Sequence, residues 1–333
     1  MQREQEMFSW LLTVWGEQIP VLQPVSGDAS FRRYFRAQLA DGRHYIVMDA
    51  PPQQEDCQPF VKVAKLLRAG GVNVPQIVQA NLAQGWLVLS DFGDRTFLAA
   101  LNTYPAHDLY LQAIQTLLGI QKIIPHDVVP VYDRERLLRE LQLFETWYLE
   151  QHLGATLTTA ERAALDVLFA RLLDNIAAQP TVLVHRDYHS RNLMVTEQGL
   201  GVLDFQDAVA GAITYDLVSL LRDAYVDWDE AQVIDWAIRY WDEARRSGLP
   251  VQADFGEFYR DFEWMGLQRH LKVLGIFARL NVRDGKPVYL NDIPRVLAYV
   301  RATAARYREF SPLLAVLDRV GSEGSTARYG HTF

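Results

Sequence analysis

The chain of 333 residues has little cysteine, no excess of positive charge and no long apolar run. Its single cysteine, Cys57, excludes an internal disulfide framework and a cysteine-based zinc site. Lysine and arginine number 33 against 41 acidic residues, so no cationic surplus is available to neutralise nucleic-acid phosphates. No apolar stretch reaches the roughly 20 residues of a membrane-spanning helix, and the acidic N-terminus is unlike a signal peptide. We expect a cytoplasmic protein that binds small molecules and neither nucleic acid nor membrane, while protein partners stay open.

Apolar periodicity divides the chain into a strand-rich first part and a helix-rich second part. Short apolar runs and the turn Asp41-Gly42 predict a small antiparallel sheet near the N-terminus. Beyond the linker at 90–95, apolar residues recur mostly at helical spacing, with Thr158 and Glu161 forming a capping box. The sequence therefore predicts an α+β fold with two lobes.

One stretch of the second part departs from the helical pattern and carries the chemistry. Asp187 follows a strand-like apolar run, Asn192 opens a second run, and Asp204 ends a third. Each residue alone is an ordinary turn former. Together they supply what phosphoryl transfer to a hydroxyl requires, namely a carboxylate that orients the acceptor and hard oxygen ligands for Mg²⁺. The pattern predicts a phosphotransferase that uses ATP and Mg²⁺.

The segments His185–Asn192 and Leu203–Asp207 resemble the catalytic and metal loops of the aminoglycoside phosphotransferase and choline kinase group. That group shares the protein-kinase-like fold. The resemblance implies that Asp187 is the catalytic base and that Asn192 and Asp204 bind Mg²⁺.

The same resemblance implies roles for other parts of the chain. Residues 1–93 would form the nucleotide-binding lobe, and residues 94–333 the helical lobe for catalysis and substrate binding. Asp216 would be structural and brace the catalytic loop. His189 stands where the group often places a polar residue near the transferring phosphate, and both phosphate contact and packing are open for it.

Segments in both parts of the chain resemble a narrower family, the anomeric N-acetylmuramate/N-acetylglucosamine kinases of cell-wall sugar recycling. They are Gly27–Arg36, Val47–Pro52, Leu221–Tyr225 and Gln268–Leu280. That family transfers the γ-phosphate of ATP to the C1 hydroxyl of an amino sugar. The resemblance therefore implies a sugar 1-phosphate as product and a role in peptidoglycan recycling.

A turn between the first two predicted strands is a candidate nucleotide loop. It consists of Ser26, Gly27, Asp28, Ala29 and Ser30. Small residues let backbone N–H groups approach phosphates, although one glycine in a hairpin is usually only a turn. Arg32 and Arg33 are candidate phosphate ligands, and by resemblance the backbone around Ser90, Asp91 and Phe92 would bind adenine.

The third predicted strand lacks the lysine that the kinase fold uses to pair the α and β phosphates. Neighbouring cations that could replace it are Arg33, Arg36, Lys62 and Lys65. The missing lysine leaves a nucleotide-binding pseudokinase scaffold as an alternative, although the intact catalytic and metal residues argue against it.

Acceptor contacts are predicted around the catalytic loop and on the helix predicted at 254–281. The candidates are Asp187, Asp207, Arg222, Asp223, Tyr225, Trp264, Arg269 and His270. Arg269 and Lys272 belong to a basic stripe that could receive a lactyl carboxylate, and Tyr225 and Trp264 offer flat faces for a sugar ring. Acids at the start of the same helix would instead suit a polycation, so an aminoglycoside, choline or homoserine remains an alternative acceptor.

Overall fold

A computed structural model describes residues 2–16, 21–25, 31–125 and 127–329, with side chains up to residue 322. It has an antiparallel sheet near the N-terminus and a helical C-terminal part, with 55% of residues in helices. The predicted α+β class is therefore confirmed. Within the described residues, no helix combines the length and the apolar character that crossing a membrane would require.

The chain folds as two compact units that do not follow a single cut in the sequence. The first comprises Met1–Pro105, His126–Val129 and Arg191–Ala208, and the second comprises Ala106–Pro125, Pro130–Ser190 and Val209–Phe333. The functional assignment of lobes at 1–93 and 94–333 stays a prediction.

The first unit is built on a five-stranded antiparallel sheet with the strand order β1-β2-β3-β5-β4. Its elements are α1 (Gln2–Trp15), β1 (Val21–Val25), β2 (Arg33–Gln38), β3 (His44–Asp49), α2 (Gln58–Ala69), β4 (Ile77–Asn81), β5 (Trp86–Ser90) and α3 (Phe97–Ala100). Met7 and Leu11 of α1 pack on Ala37, Val47 and Val88 of the sheet. Helix α1 therefore buries one face of the three central strands.

A separate hairpin of the first unit, β7 (Leu193–Thr196) and β8 (Gly199–Val202), brings two predicted metal ligands to one end. Gly199 closes the tight loop with a φ of +100°, a conformation that glycine adopts without strain. The register pairs Leu193 with Val202, and the backbone N–H of Leu203 donates to the carbonyl of Asn192 at 2.9 Å. Asn192 and Asp204 therefore leave the hairpin side by side.

The second unit is mainly helical, around the 28-residue helix α9. Its elements are α4 (Ala106–Gln121), α5 (Arg134–Leu143), a π-helical segment (Phe144–His152), α6 (Thr159–Ala178), β6 (Thr181–Val184), β9 (Val209–Ala212), α7 (Tyr215–Leu221), α8 (Glu230–Arg246), α9 (Phe255–Val282), a 3₁₀ segment (Pro287–Asp292), α10 (Ile293–Arg306), a 3₁₀ turn (Arg308–Phe310) and α11 (Ser311–Tyr329). The predicted capping box of Thr158 and Glu161 begins α6. Apolar residues at helical spacing predict a single helix over 292–318, and this prediction is wrong because the extended backbone at Tyr307 separates α10 from α11.

Candidate active site

A buried carboxylate holds the backbone of the loop that carries Asp187. Asp216, in the first turn of α7, accepts hydrogen bonds from the backbone N–H groups of His185 at 2.6 Å and Arg186 at 3.0 Å. Burial raises the pKa of Asp216 to about 7, and the two N–H donors act against that rise. Asp216 thus braces the catalytic loop, as the resemblance implied.

Asp187 is half-buried in a positively charged environment. Burial opposes ionisation of its carboxyl group, but the positive charges of Lys272, Arg269, His189 and Arg186 outweigh burial and lower its pKa. The carboxylate is therefore ionised near neutral pH and can accept a proton from a bound hydroxyl.

The predicted metal ligands form a cluster of oxygen-bearing side chains in the first unit. The amide of Asn192 donates to Asp204 Oδ2 at 3.4 Å, and the amide of Gln206 donates to Asp204 Oδ1 at 2.8 Å and to Asp207 at 3.3 Å. Asp204 has a φ of +60°, a left-handed conformation that is unusual for aspartate. Gln206 therefore connects the two carboxylates that follow the hairpin.

The donor chemistry of this cluster fits Mg²⁺. The Oε1 atom of Gln206 is buried and has no hydrogen-bond partner among the described residues, while Asn192 presents an amide oxygen and Asp204 a carboxylate. Mg²⁺ prefers such hard oxygen donors and usually takes only one or two carboxylates, with water completing its shell. Among the described residues, no group of three His, Cys, Asp or Glu side chains is placed to hold a metal ion. Sequence reasoning missed Gln206, although its spacing from Asp204 was visible.

The predicted nucleotide loop, Ser26–Ser30, lies outside the described residues. Arg32, which follows it, lies 3.8 Å from the carboxylate of Glu55, and its side chain is largely buried. Lys62 and Lys65 are exposed on α2.

Arg33 is held by carboxylates on two sides. Its guanidinium contacts Asp49 at 2.5 Å and Glu4 of α1 at 2.6 Å. Asp49 is fully buried at the end of β3, where it also accepts from Arg3 at 2.6 Å and from the indole of Trp86 at 3.1 Å. The end of the third strand thus carries a carboxylate that ties α1 to the sheet.

The predicted adenine linker is also tied to the sheet. Arg36 of β2 contacts the carboxylate of Asp91 at 2.6 Å and that of Asp94 at 2.6 Å. The backbone N–H of Ser90 donates to the carbonyl of Gln76 at 2.9 Å, so a hydrogen bond within the protein already uses this donor. Phe92 packs on Gly201 of β8, where an added Cβ would lie 2.5 Å from the Phe92 ring.

Two predicted acceptor residues lie beside the catalytic loop. Asp223 is buried and accepts from the backbone N–H groups of Ser190 at 2.9 Å and Tyr225 at 3.0 Å. The apolar pattern predicts a helix over 215–226, but this local turn competes with helix, and α7 ends at Leu221. The Tyr225 ring meets His189 edge to face, with centroids 5.4 Å apart.

The predicted basic stripe begins in the interior of the protein. Arg269 is 5% exposed, lies 5.6 Å from the centroid of the Tyr215 ring, and donates to the carbonyl of Arg186 at 3.4 Å. Lys272 is 6% exposed, and its ammonium lies 3.1 Å from the carboxylate of Glu140. The stripe therefore faces protein at these two positions, and Arg269 is the member that contacts the catalytic loop.

Three other predicted acceptor residues have partners elsewhere in the second unit. Arg222 is buried and contacts Glu263 at 3.0 Å. Burial lowers the pKa of His270 to about 3, so its neutral ring donates from Nε2 to the carbonyl of Arg222 at 3.0 Å. Trp264 packs on Phe310, with centroids 4.7 Å apart. A role for these three residues in acceptor binding stays a prediction.

Comparison with known proteins shows the family to which the chain belongs. Residues 21–249 match the model of the phosphotransferase enzyme family. The N-acetylmuramate/N-acetylglucosamine kinase of Neisseria meningitidis serogroup B is 50% identical over 328 residues, which cover 97% of this chain and 98% of that kinase. The kinase of the same name from Pseudomonas aeruginosa is 49% identical over 300 residues, covering 90% of this chain and 88% of its own.

Solved structures of low sequence identity share the fold. An ADP-bound aminoglycoside phosphotransferase, 15% identical, has a TM-score of 0.60 and covers 90% of this chain and 98% of its own. The ethanolamine kinase of Plasmodium vivax, 11% identical, has a TM-score of 0.65 and covers 89% of this chain and 88% of its own. The kinase-like fold implied by the sequence is confirmed. The chain therefore belongs to the phosphotransferase enzyme family, as its catalytic and metal-loop motifs predicted.

Proposed function

We propose that this protein is an ATP- and Mg²⁺-dependent kinase that phosphorylates the anomeric C1 hydroxyl of N-acetylmuramate and N-acetylglucosamine. The observation that carries the proposal is the braced, ionised Asp187 in a chain about half identical to relatives named for these two sugars. A cytoplasmic location would supply ATP, and sugars released by peptidoglycan turnover would supply the acceptor.

Asp187 would act as the catalytic base. Its carboxylate would accept a hydrogen bond from the C1 hydroxyl and then its proton as the C1 oxygen bonds to the γ-phosphorus. The bond from that phosphorus to the β–γ bridging oxygen would break, and ADP would leave. Surrounding cations already keep this carboxylate ionised, so no proton has to leave it before the reaction. Asp216 holds the loop in one conformation, which supports in-line attack by limiting movement of the base.

Asn192 and Asp204 would hold Mg²⁺, and Gln206 would orient Asp204 or add an amide oxygen. When bound, Mg²⁺ would neutralise charge on the phosphate oxygens. The loop Ser26–Ser30 would contact the nucleotide phosphates. Of the two candidate arginines, Arg32 would join it, because Arg33 is already paired with two carboxylates.

The remaining nucleotide contacts would come from the linker and the catalytic loop. Backbone groups of Asp91 and Phe92 would bind adenine, beside the Ser90 N–H that the sheet already uses. His189, whose Nδ1 is buried without a partner among the described residues, would donate to the transferring phosphate.

An aromatic wall next to the catalytic loop would receive the sugar ring. Tyr225 contacts His189, and Phe277 lies 6.3 Å from Tyr225 and 5.4 Å from Tyr289, measured between ring centroids. Tyr225 and Tyr289 are both half-buried, so part of each ring remains accessible. Sugar sites combine such apolar faces with a few polar groups. Arg269 would supply positive charge for the carboxylate of N-acetylmuramate, and Asp207 and Asp223 would supply hydroxyl acceptors.

The acids that favour a polycationic acceptor have structural roles in part. Asp254 caps α9 by accepting from the backbone N–H of Glu257 at 3.0 Å. Asp261 is buried and accepts from Asn175 at 2.7 Å. Of these three acids, Glu257 is exposed and has no capping or buried contact of its side chain among those described. A polycation would therefore meet few available carboxylates here, and this favours an amino sugar over an aminoglycoside as the acceptor.

A turnover assay with purified protein, ATP and Mg²⁺ tests the proposal. N-acetylmuramate and N-acetylglucosamine should be phosphorylated, whereas the methyl glycoside of N-acetylglucosamine, which lacks the C1 hydroxyl, should not. The panel also includes an aminoglycoside, choline and homoserine, and turnover restricted to those acceptors would reject the proposal. Asp187→Asn should bind ATP normally and lose turnover. Tight ATP binding by the wild-type protein without turnover on any acceptor would favour the pseudokinase alternative.

A further inference from the structure

Glu140 of α5 is a half-buried residue that contacts three donors from different parts of the second unit. Its Oε1 atom accepts from the Arg186 guanidinium at 2.7 Å and lies 3.1 Å from the Lys272 ammonium. Its Oε2 atom accepts a hydrogen bond from the Tyr132 hydroxyl. The Glu140 side chain is 15% exposed, so these charged contacts lie largely away from water. Charge-assisted bonds in such surroundings are strong and directional.

Arg186, the residue before Asp187, is held by two carboxylates. Its backbone is left-handed with a φ of +77°, a conformation that costs a non-glycine residue about 1–2 kcal/mol. Asp216 accepts from its backbone N–H at 3.0 Å, while Glu140 accepts from its side chain. The guanidinium also lies 5.2 Å from the centroid of the Tyr132 ring. Fixing Arg186 at both ends fixes the direction in which the chain presents Asp187.

Lys272 connects Glu140 to the charge on Asp187. Its ammonium donates to the Tyr215 hydroxyl at 3.0 Å. Burial works to lower the pKa of Lys272, but Tyr215 and Glu140 outweigh burial and raise it. Among the positively charged groups that lower the pKa of Asp187, Lys272 has the largest effect. Glu140 therefore keeps a cation in place that in turn keeps Asp187 ionised.

We propose that Glu140 is a positioning residue for phosphoryl transfer, acting through Arg186 and Lys272 on the orientation and charge of Asp187. The inference rests on the proposed function. The other groups of the second unit that act on Asp187 are Arg269, His189 and the carboxylate of Asp216.

Glu140→Gln tests the role against a purely structural one. We expect kcat to fall about 10²-fold with the KM for ATP unchanged, because misplacing a reacting group by about 1 Å has such an effect. Glu140→Asp, which keeps the charge but shortens the side chain, should recover part of the loss. The matched control is Glu135→Gln on the same helix, where the side chain is 78% exposed and should leave kcat at the wild-type value.

A second variant covers the case in which Glu140→Gln does not fold. The double variant Glu140→Gln with Lys272→Met removes one negative and one positive charge, so no uncompensated ammonium remains buried. It should fold and have a lower kcat than Lys272→Met alone, because the loss of the Arg186 contact then comes from Glu140 only. A folded variant at Glu140 with wild-type kcat and an unchanged pH profile would overturn the inference. If the wild-type protein phosphorylates no acceptor, the proposed function fails and the inference fails with it.

Discussion

Gly275 lies where α9 passes closest to the end of α5, and adding one methyl group there tests the packing that positions Lys272. A Cβ on Gly275 would lie 2.4 Å from the carbonyl carbon of Leu143 and 2.5 Å from its oxygen. Backbone atoms cannot rotate away as a flexible side chain can, so the helices must separate. Gly119, in the last turn of α4, is the matched control because its added Cβ would have no neighbour within 4 Å.

In a helix, alanine is more favourable than glycine by about 1 kcal/mol, so both substitutions add up to this amount of helix stability. Gly119→Ala should therefore stabilise the protein by up to about 1 kcal/mol. Overpacking costs roughly 1–3 kcal/mol or more, and a backbone clash belongs at the upper end, so Gly275→Ala should be destabilised by about 1–2 kcal/mol net. It should also have a lower kcat, since Lys272 lies one turn away on the same helix.

Urea unfolding monitored by tryptophan fluorescence measures both effects, and the protein has 8 tryptophans. The midpoint should fall for Gly275→Ala and rise for Gly119→Ala, with little change in the slope m. Equal or greater stability of Gly275→Ala would refute the close approach of α9 to Leu143.

Three further predictions concern the charge on the base, the metal and a buried ion pair. Lys272→Met should raise the pKa of Asp187, and because a base works only when deprotonated, activity should be lost at a higher pH as the pH falls; a pH profile of kcat/KM measures this. Asn192→Ala should raise the Mg²⁺ concentration for half-maximal velocity by about tenfold or more, whereas an unchanged titration would remove Asn192 from the metal site. Glu263→Gln should destabilise the protein by about 3–5 kcal/mol in urea unfolding, because it leaves Arg222 buried without its carboxylate.

Local patterns predicted the parts of the fold and site that depend on neighbours in sequence. Two apolar runs were predicted, one opened by Asn192 and one ended by Asp204; the structure pairs these runs as a hairpin whose register brings Asn192 to Asp204. The motif around Asp187 implied the brace that Asp216 provides. Asn192 and Asp204 are close in sequence, and the role of Asp216 followed from the family resemblance.

Long-range pairing explains what the sequence did not reveal. Arg33 looked available for phosphate, but strand register places it opposite Asp49, and their ion pair occupies it. Glu140 carried no motif, because two of its partners are distant in sequence: Arg186 lies in the loop after β6 and Lys272 lies on α9. The basic stripe on α9 was expected to be accessible, yet α9 is buried on most sides, so helical periodicity alone does not identify an exposed face.

The position of the phosphate on the product is the most direct test of the proposed chemistry. We predict that phosphorus NMR of the product from N-acetylglucosamine or N-acetylmuramate, ATP and Mg²⁺ will show one phosphate coupled to the anomeric proton. A phosphate on any other hydroxyl, or turnover of the methyl glycoside that lacks the C1 hydroxyl, would contradict anomeric phosphorylation.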